Sequence, residues 1–365
     1  MEEKQAPDYI ILFVVITLMT IGLIMILSAS SIRAQTLYDD SYYLFKHQLV
    51  WSLFGIAGLT IFMNIDYHIY QRYARLIMLL TVLGLMLVLI PGIGHIAGGS
   101  RRWIGIGSLQ VQPSELAKLG VVIYLSYYFS RKKDKINSFF NGVLPPVIIL
   151  GLVFGLILME PDLGTGVTIA GTIFVMLFAA GARISHLTAL VFSGIPLLFY
   201  FIMSEDYRRE RLFSFLDPWA DPLDTGYHII QSLLALGSGG IFGVGLGNSK
   251  QKFLYLPEPG TDFIFAVLGE ELGLIGTITV LGLFFLFAWR GLKIASLVPD
   301  MFGSMLAVGI TIMVILQAIV NIGVVTASMP ITGITLPFIS YGGTSLTIML
   351  SGVGILLNIS RQVMD

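Results

Sequence analysis

YIILFVVITLMTIGLIMILS, residues 9–28, decides the class of this chain. The run has no charged residue and the length, about 20 apolar residues, that a helix needs to cross the hydrocarbon core of a bilayer. Similar runs recur to the C-terminus. Of 365 residues 56% are hydrophobic and 12% charged, with a mean hydropathy of +0.86, whereas soluble domains carry roughly a quarter charged residues. The expectation is an all-α integral membrane protein, one membrane domain over 1–365. The net charge of -1 offers no basic excess for nucleic acid. The absence of Cys excludes disulfides and thiolate chemistry. The N-terminal MEEKQAPDY lacks the basic n-region and cleavage site of a signal peptide, so the first run is expected to be retained.

Hydropathy places ten spans near 9–28, 46–64, 73–92, 113–130, 142–159, 163–181, 186–203, 263–288, 302–327 and 341–359. Glu160-Pro161-Asp162 divides the fifth from the sixth, because proline blocks the helical ladder and two acids are costly in hydrocarbon. Ten spans put both termini on one side. With the N-terminus inside, Lys4, Arg72, Arg75, Arg131, Lys132, Lys133, Lys135, Arg183, Arg290, Lys293 and Arg361 are cytoplasmic. The short outer loops hold Arg33, Lys46, Arg101 and Arg102. The positive-inside rule therefore sets both termini in the cytoplasm. Three outer segments follow. Residues 91–112 are glycine-rich and read as an irregular surface loop. Glu160 to Thr165 is a turn. Residues 204–262 form a long extracytoplasmic loop between helices 7 and 8, and loops of that length are usually functional or disordered. Its IIQSLLAL patch at 229–236 is too short to span, which suits a re-entrant or surface-lying helix.

Several motifs carry no chemistry. Gly92 to Ala97 matches a dinucleotide fingerprint in letters but follows a membrane span rather than a strand. The glycine-rich run Gly237 to Gly247 lacks the lysine of a P-loop. The five His residues are scattered without metal-ligand spacing.

The chemistry-bearing groups lie near the outer surface. Glu115 and Lys118 are three apart, on one helical face. They read either as a buried ion pair that fixes packing or as a lysine awaiting an anionic ligand. Arg101-Arg102-Trp103 sits in a cation-poor outer loop. Trp103 suits an interfacial belt and the arginines suit lipid head groups, but a guanidinium fork also fits a pyrophosphate. LPEPGTDFIFAVLGEELGLIG, residues 256–276, concentrates acids at a loop–helix junction. Asp262 reads as an N-cap or a dipole-end charge, yet neither accounts for Glu258, Glu270, Lys250 and Lys252 nearby. On a helix beginning near Asp262, Glu270 would lie about 80° away, sharing its cavity, and Glu271 on the opposite face. Outside the cell there is no nucleotide donor, and no Ser-His-Asp constellation is evident. A group transfer here needs an activated, membrane-delivered donor, one carboxylate base and cations for a phosphate leaving group. A transporter using the same acids as a relay is the alternative.

Six segments resemble one family. GLIMILSASS (22–31), SRRWIGIG (100–107), QPSELAKL (112–119), EPDLGTG (160–166), LPEPGTDFIFAVLGEELGLIG (256–276) and TGITLPFISYGGTSL (332–346) are similar to those of the SEDS proteins, the group of FtsW, RodA and SpoVE. The continuous 227–265 run resembles the FtsW and SpoVE branch. The resemblance implies a ten-helix fold and a peptidoglycan glycosyltransferase acting on lipid II, a disaccharide-pentapeptide on undecaprenyl pyrophosphate. It implies that Asp262 deprotonates the acceptor 4-hydroxyl, with Arg101, Arg102, Lys118 and Lys250 or Lys252 stabilising the departing pyrophosphate. Trp103, Glu115, Glu160 and Asp162 match family positions without an assigned step, and Glu270 is placed beside them. The implied partner is a class B penicillin-binding protein, among other divisome or elongasome proteins. Pyrophosphate departure would also suit Mg²⁺ or Mn²⁺. A lipid II flippase and a non-catalytic scaffold are the competing readings. The outward clustering of acids argues against the first, and Asp262 argues against the second.

Overall fold

In hydrocarbon a backbone must satisfy its own polar groups, so apolar runs become helices. The computed structural model describes residues 6–97, 100–106, 109–253 and 255–362. Lys4, Gly98, Gly99, Gly107, Ser108 and Leu254, which belong to segments discussed above, lie outside them. The α-helices are α1 (Tyr9–Tyr38), α2 (Tyr43–Asn64), α3 (His68–Leu89), α4 (Pro113–Arg131), α5 (Leu144–Met159), α6 (Leu163–Ala179), α7 (Ile184–Met203), α8 (Asp206–Leu216), α9 (Tyr227–Gly239), α10 (Ile264–Leu297), α11 (Met301–Val325) and α12 (Gly343–Ser360). Among the described residues, eight helices are long and apolar enough to cross a membrane: α1, α2, α3, α5 with its preceding turn, α7, α10, α11 and α12. The other two expected spans fall on α6, which is apolar but short at 17 residues, and on α4, which carries Glu115, Lys118 and Arg131.

The 91–112 segment is not the irregular loop that its glycines suggest. It forms an antiparallel sheet, β1 (Gly94–Ala97), β2 (Ser100–Ile106) and β3 (Leu109–Val111), in the order β1-β2-β3. Residues between two spans have no helical ladder to join, and pairing with one another satisfies their amides. The 229–236 patch lies within α9, which packs Ile229, Ile230 and Ala235 inward and does not span.

Asp8 caps α1 by accepting from the Ile10 and Ile11 amides, both at 3.0 Å. It also accepts from Arg290 of α10, and its own amide donates to Ser360 at the end of α12. The start of α1 and the ends of α10 and α12 therefore meet at one end of the bundle. At the other end, Arg33 of α1 pairs with Glu258 at 2.5 Å. α12 and α11 are buried along most of their length, whereas α7 buries only Leu187. α2 approaches α12 through Gly55, whose added Cβ would strike Leu350, the small-residue contact typical of membrane helices.

α10 is broken at Gly273, where φ is 65° and the backbone leaves the helix. The chain at 240–245 repairs the break. Leu274 N donates to Gly240 O at 2.9 Å and Val244 N to Glu270 O at 3.0 Å, with Ile275 and Gly245 bonded likewise. This contact explains the glycine-rich run: a Cβ on Gly243 would collide with the Glu271 carbonyl.

Candidate active site

Asp262 stands two residues before α10, and Phe263 occupies the cap position without a side-chain bond. It is therefore not an N-cap. The chain turns sharply here instead, with Glu258 at a φ of 51° and Thr261 N donating to Glu258 O. Neighbouring segments hold this turn through its backbone. Asn321 Nδ2 of α11 donates to Asp262 O at 2.8 Å and to Ile334 O at 2.7 Å. Ser340 Oγ donates to Thr261 O at 2.6 Å, and Tyr341 N to Gly260 O at 2.8 Å. The 332–341 segment thus clamps the loop that carries Asp262.

The carboxylate itself is half-buried and makes no hydrogen bond among the described residues. A Cβ on Gly333 would stand 3.7 Å from its Oδ2. Burial pushes the Asp262 carboxyl up to about 6; Glu258 and Asp162 add to the shift, while Arg211 and Arg102 oppose it. A base that titrates just below neutrality is both deprotonated and able to accept a proton at physiological pH.

The Glu160–Asp162 turn completes this end. Asp162 caps α6, accepting from Thr165 N at 3.1 Å and Oγ1 at 2.9 Å, and from Gln112 at 3.3 Å. Arg102 Nε donates to Glu160 O at 2.9 Å, and its Nη2 donates to Pro161 O. Glu160 is fully buried with both carboxyl oxygens unpartnered. Burial pushes it up to about 8, with Asp162 adding and Arg102 opposing.

The other expected site residues fall elsewhere. Lys118 is buried and bonded to Glu115 at 2.8 Å and to Gln317 Oε1. Gln317 in turn donates to Thr335 O, so Lys118 ties α4 to α11 and is no free leaving-group cation as arranged. Lys252 is buried too, donating to Glu271 Oε1 and Ser28 Oγ at 3.2 Å each. Lys250 is exposed and contributes its amide to Glu270 at 2.9 Å. Glu270 accepts as well from Ser249 and Gln251, so it belongs to the 249–252 loop and not to the cavity of Asp262. A helical wheel begun at Asp262 misplaces it, because Asp262 stands outside α10 and the 249–251 loop bonds onto the helix at Glu270. Arg101 turns back to Leu89 O at 3.2 Å. Trp103 pairs through its backbone with His95 across the sheet. Among the described residues no three His, Asp or Glu side chains converge to hold a metal, and the charges opposing Asp262 are guanidinium groups.

Two residues near Asp262 escape sequence reading. Arg211 on α8 reaches its field and also donates to Ile331 O. His228 on α9 lies with its ring 6.0 Å from Phe263, and burial lowers its pKa, with Arg211 adding. A signal existed: DYRRERLF, 206–213, places three arginines in an expected outer segment, against the same rule that drew attention to Arg101 and Arg102.

Fold and site together define a polytopic helical membrane protein that holds the unbonded carboxylate of Asp262 in the field of guanidinium groups at one end of its bundle. The chain belongs to the FtsW, RodA and SpoVE family of cell cycle proteins, whose model matches residues 8–365. It is 48% identical over 359 residues to stage V sporulation protein E of Bacillus subtilis, covering 98% of both chains. It is 43% identical over 363 residues to a probable peptidoglycan glycosyltransferase FtsW of Geobacter metallireducens, covering 100% of this chain and 97% of that one. A chain from a structure of a peptidoglycan synthase complex that coordinates polymerization and crosslinking superposes with a TM-score of 0.81 at 29% identity, over 98% of each.

Proposed function

We propose that this chain is a peptidoglycan glycosyltransferase that polymerises lipid II at the outer face of the bacterial cytoplasmic membrane, with both termini cytoplasmic. The observation that carries the reading is Asp262, whose backbone is clamped while its carboxylate is left without a partner in the field of Arg102 and Arg211. Full-length similarity to a relative of that name supports it. Asp262 takes the proton of the acceptor 4-hydroxyl as that oxygen bonds to the donor's anomeric carbon. The bond from this carbon to the undecaprenyl pyrophosphate breaks, and its electron pair leaves with the pyrophosphate. Arg102 and Arg211 oppose the charge that develops there, a role that the buried and already paired Lys118 and Lys252 do not take. The pyrophosphate is the group a divalent cation would bind, and no step above is assigned to one. Similarity to a chain of a synthase complex supports a transpeptidase of the class B penicillin-binding type as partner.

The test is polymerisation of purified lipid II by the detergent-solubilised protein with its partner. Glycan strands made by wild type and lost in Asp262→Asn are expected. Lipid II crossing sealed vesicles, with no polymer in either assay, would overturn the enzyme in favour of a flippase.

A further inference from the structure

At the end of the bundle opposite Asp262, the chain between α4 and α5 folds into a compact loop. Lys133–Lys135 form one 3-10 turn and Phe139–Val143 a π-helical turn. Gly142 packs so closely on Ile136 that a Cβ would collide with its backbone, and Tyr128 donates to Asn141 O. Between this loop and the first turn of α7 lies a cavity of about 570 Å³. Lys135, Asn137, Ser138, Asn141, Arg183 and His186 line it, together with Phe139 and one acid, Asp134.

Three features show what this cavity would hold. Among the described residues, neither Lys135 nor Arg183 has an ion-pair partner, and His186 Nδ1 is buried without a hydrogen bond while its ring stands edge-on to Phe139. Arg183 occupies the cap position of α7 without a side-chain bond to the helix, so the cavity lies at the positive end of the helix dipole. Arg131, Lys132, Lys133, Lys135 and Arg183 face a single local acid, Asp134. Unpaired cations and an orphan imidazole nitrogen around one cavity at a helix N-terminus form a receptor for a phosphate. The rim shows which phosphate. Phe140 is 73% exposed and Ile184 70%, so apolar groups flank the cavity where a bilayer would meet it. Basic pockets between membrane helices bind anionic lipid head groups.

We infer that this cavity is a binding site for the phosphodiester head group of an anionic glycerophospholipid, seated on Lys135, Arg183 and His186, with its acyl chains beside Phe140 and Ile184. The site lies at the far end of the bundle from Asp262 and does not depend on the proposed chemistry.

The experiment counts lipids retained by native mass spectrometry after reconstitution in phosphatidylcholine nanodiscs with and without phosphatidylglycerol. Wild type should keep phosphatidylglycerol, and the exposed double variant Lys135→Gln/Arg183→Gln should lose it, by about fivefold for each cation removed. The charge-matched pair Lys132→Gln/Lys133→Gln, outside the cavity lining, should retain it. Equal loss in both double variants would mean diffuse surface attraction and overturn the site. Full competition by millimolar inorganic phosphate, without lipid retention, would assign the cavity to a soluble anion and overturn the lipid. Unchanged melting of the variants in pure phosphatidylcholine controls for folding.

Discussion

Asp262 and the pair Glu270–Glu271 lie in one stretch of chain, yet they are treated in opposite ways. Glu270 accepts from two backbone amides and a serine. Glu271 accepts from Ser28, the Ser249 amide and Lys252. Asp262 is held by its main chain alone, and its carboxylate faces charges without bonding to them. Buried acids that are fully bonded hold a structure together, and this pair fastens the 240–252 loop across the break in α10. A half-buried acid left unbonded on a clamped backbone is ready to take a proton. The difference separates scaffold from chemistry in residues that look alike in a list of membrane acids.

The largest effect that would break this comparison comes from Asp262→Asn. The change is isosteric and removes no hydrogen bond of the side chain, so melting should stay near wild type. Lipid II polymerisation should fall by about 10²–10⁴, the usual contribution of a general base. An Asp262→Asn variant that keeps its rate would remove Asp262 from the chemistry.

Lys252→Met tests the other side. Removing one partner of a buried ion pair costs about 3–5 kcal/mol because the remaining charge is stranded, although Ser28 and the Ser249 amide still hold Glu271. Thermal unfolding in detergent should show this loss, while turnover per folded molecule stays largely intact. Normal melting with abolished turnover would instead place Lys252 with the pyrophosphate.

What the sequence could show follows the same division. Apolar runs announce helices because burial in lipid leaves the backbone no other choice, so each expected span falls on one. Asp262 was legible as an acid at a junction, and Arg102 as a cation against the topology rule. The sheet at 94–111 was not, since its strands are stabilised by one another and not by local propensity. The break at Gly273 was not either, because a glycine inside an apolar run gives no sign that a distant segment will repair it. Arg211 depends on how α8 folds back over the bundle, which no spacing within 206–216 encodes.

A smaller effect is a shift in pH dependence. Asp262 must be deprotonated to act, so kcat/KM should rise with pH through a midpoint near 6. Glu258 raises that midpoint and Arg211 lowers it. Glu258→Gln should therefore move the acid limb to lower pH and Arg211→Gln to higher pH. Opposite movements in the two variants would tie the limb to Asp262. A limb that neither variant shifts belongs to another group, and the field around Asp262 would then have no bearing on its proton.

The last test concerns Glu160, which is buried like Glu271 yet unbonded like Asp262. Its folded pKa of about 8 lies above its ordinary value of 4.5, so the folded protein keeps a proton that the unfolded chain gives up. Its contribution to stability is fully present below 4.5 and is lost as pH rises through 8. Glu160→Gln substitutes a neutral amide of the same shape and should remove this dependence. Wild-type melting should then decline relative to the variant as buffers go from about pH 5 to 9, with the two converging at the acid end. Parallel curves would mean that Glu160 stays ionised in the fold, paired to Arg102. The turn at 160–162 would then group with Glu270 and Glu271 as a bonded anchor, and Asp262 alone of these four acids would be left unbonded.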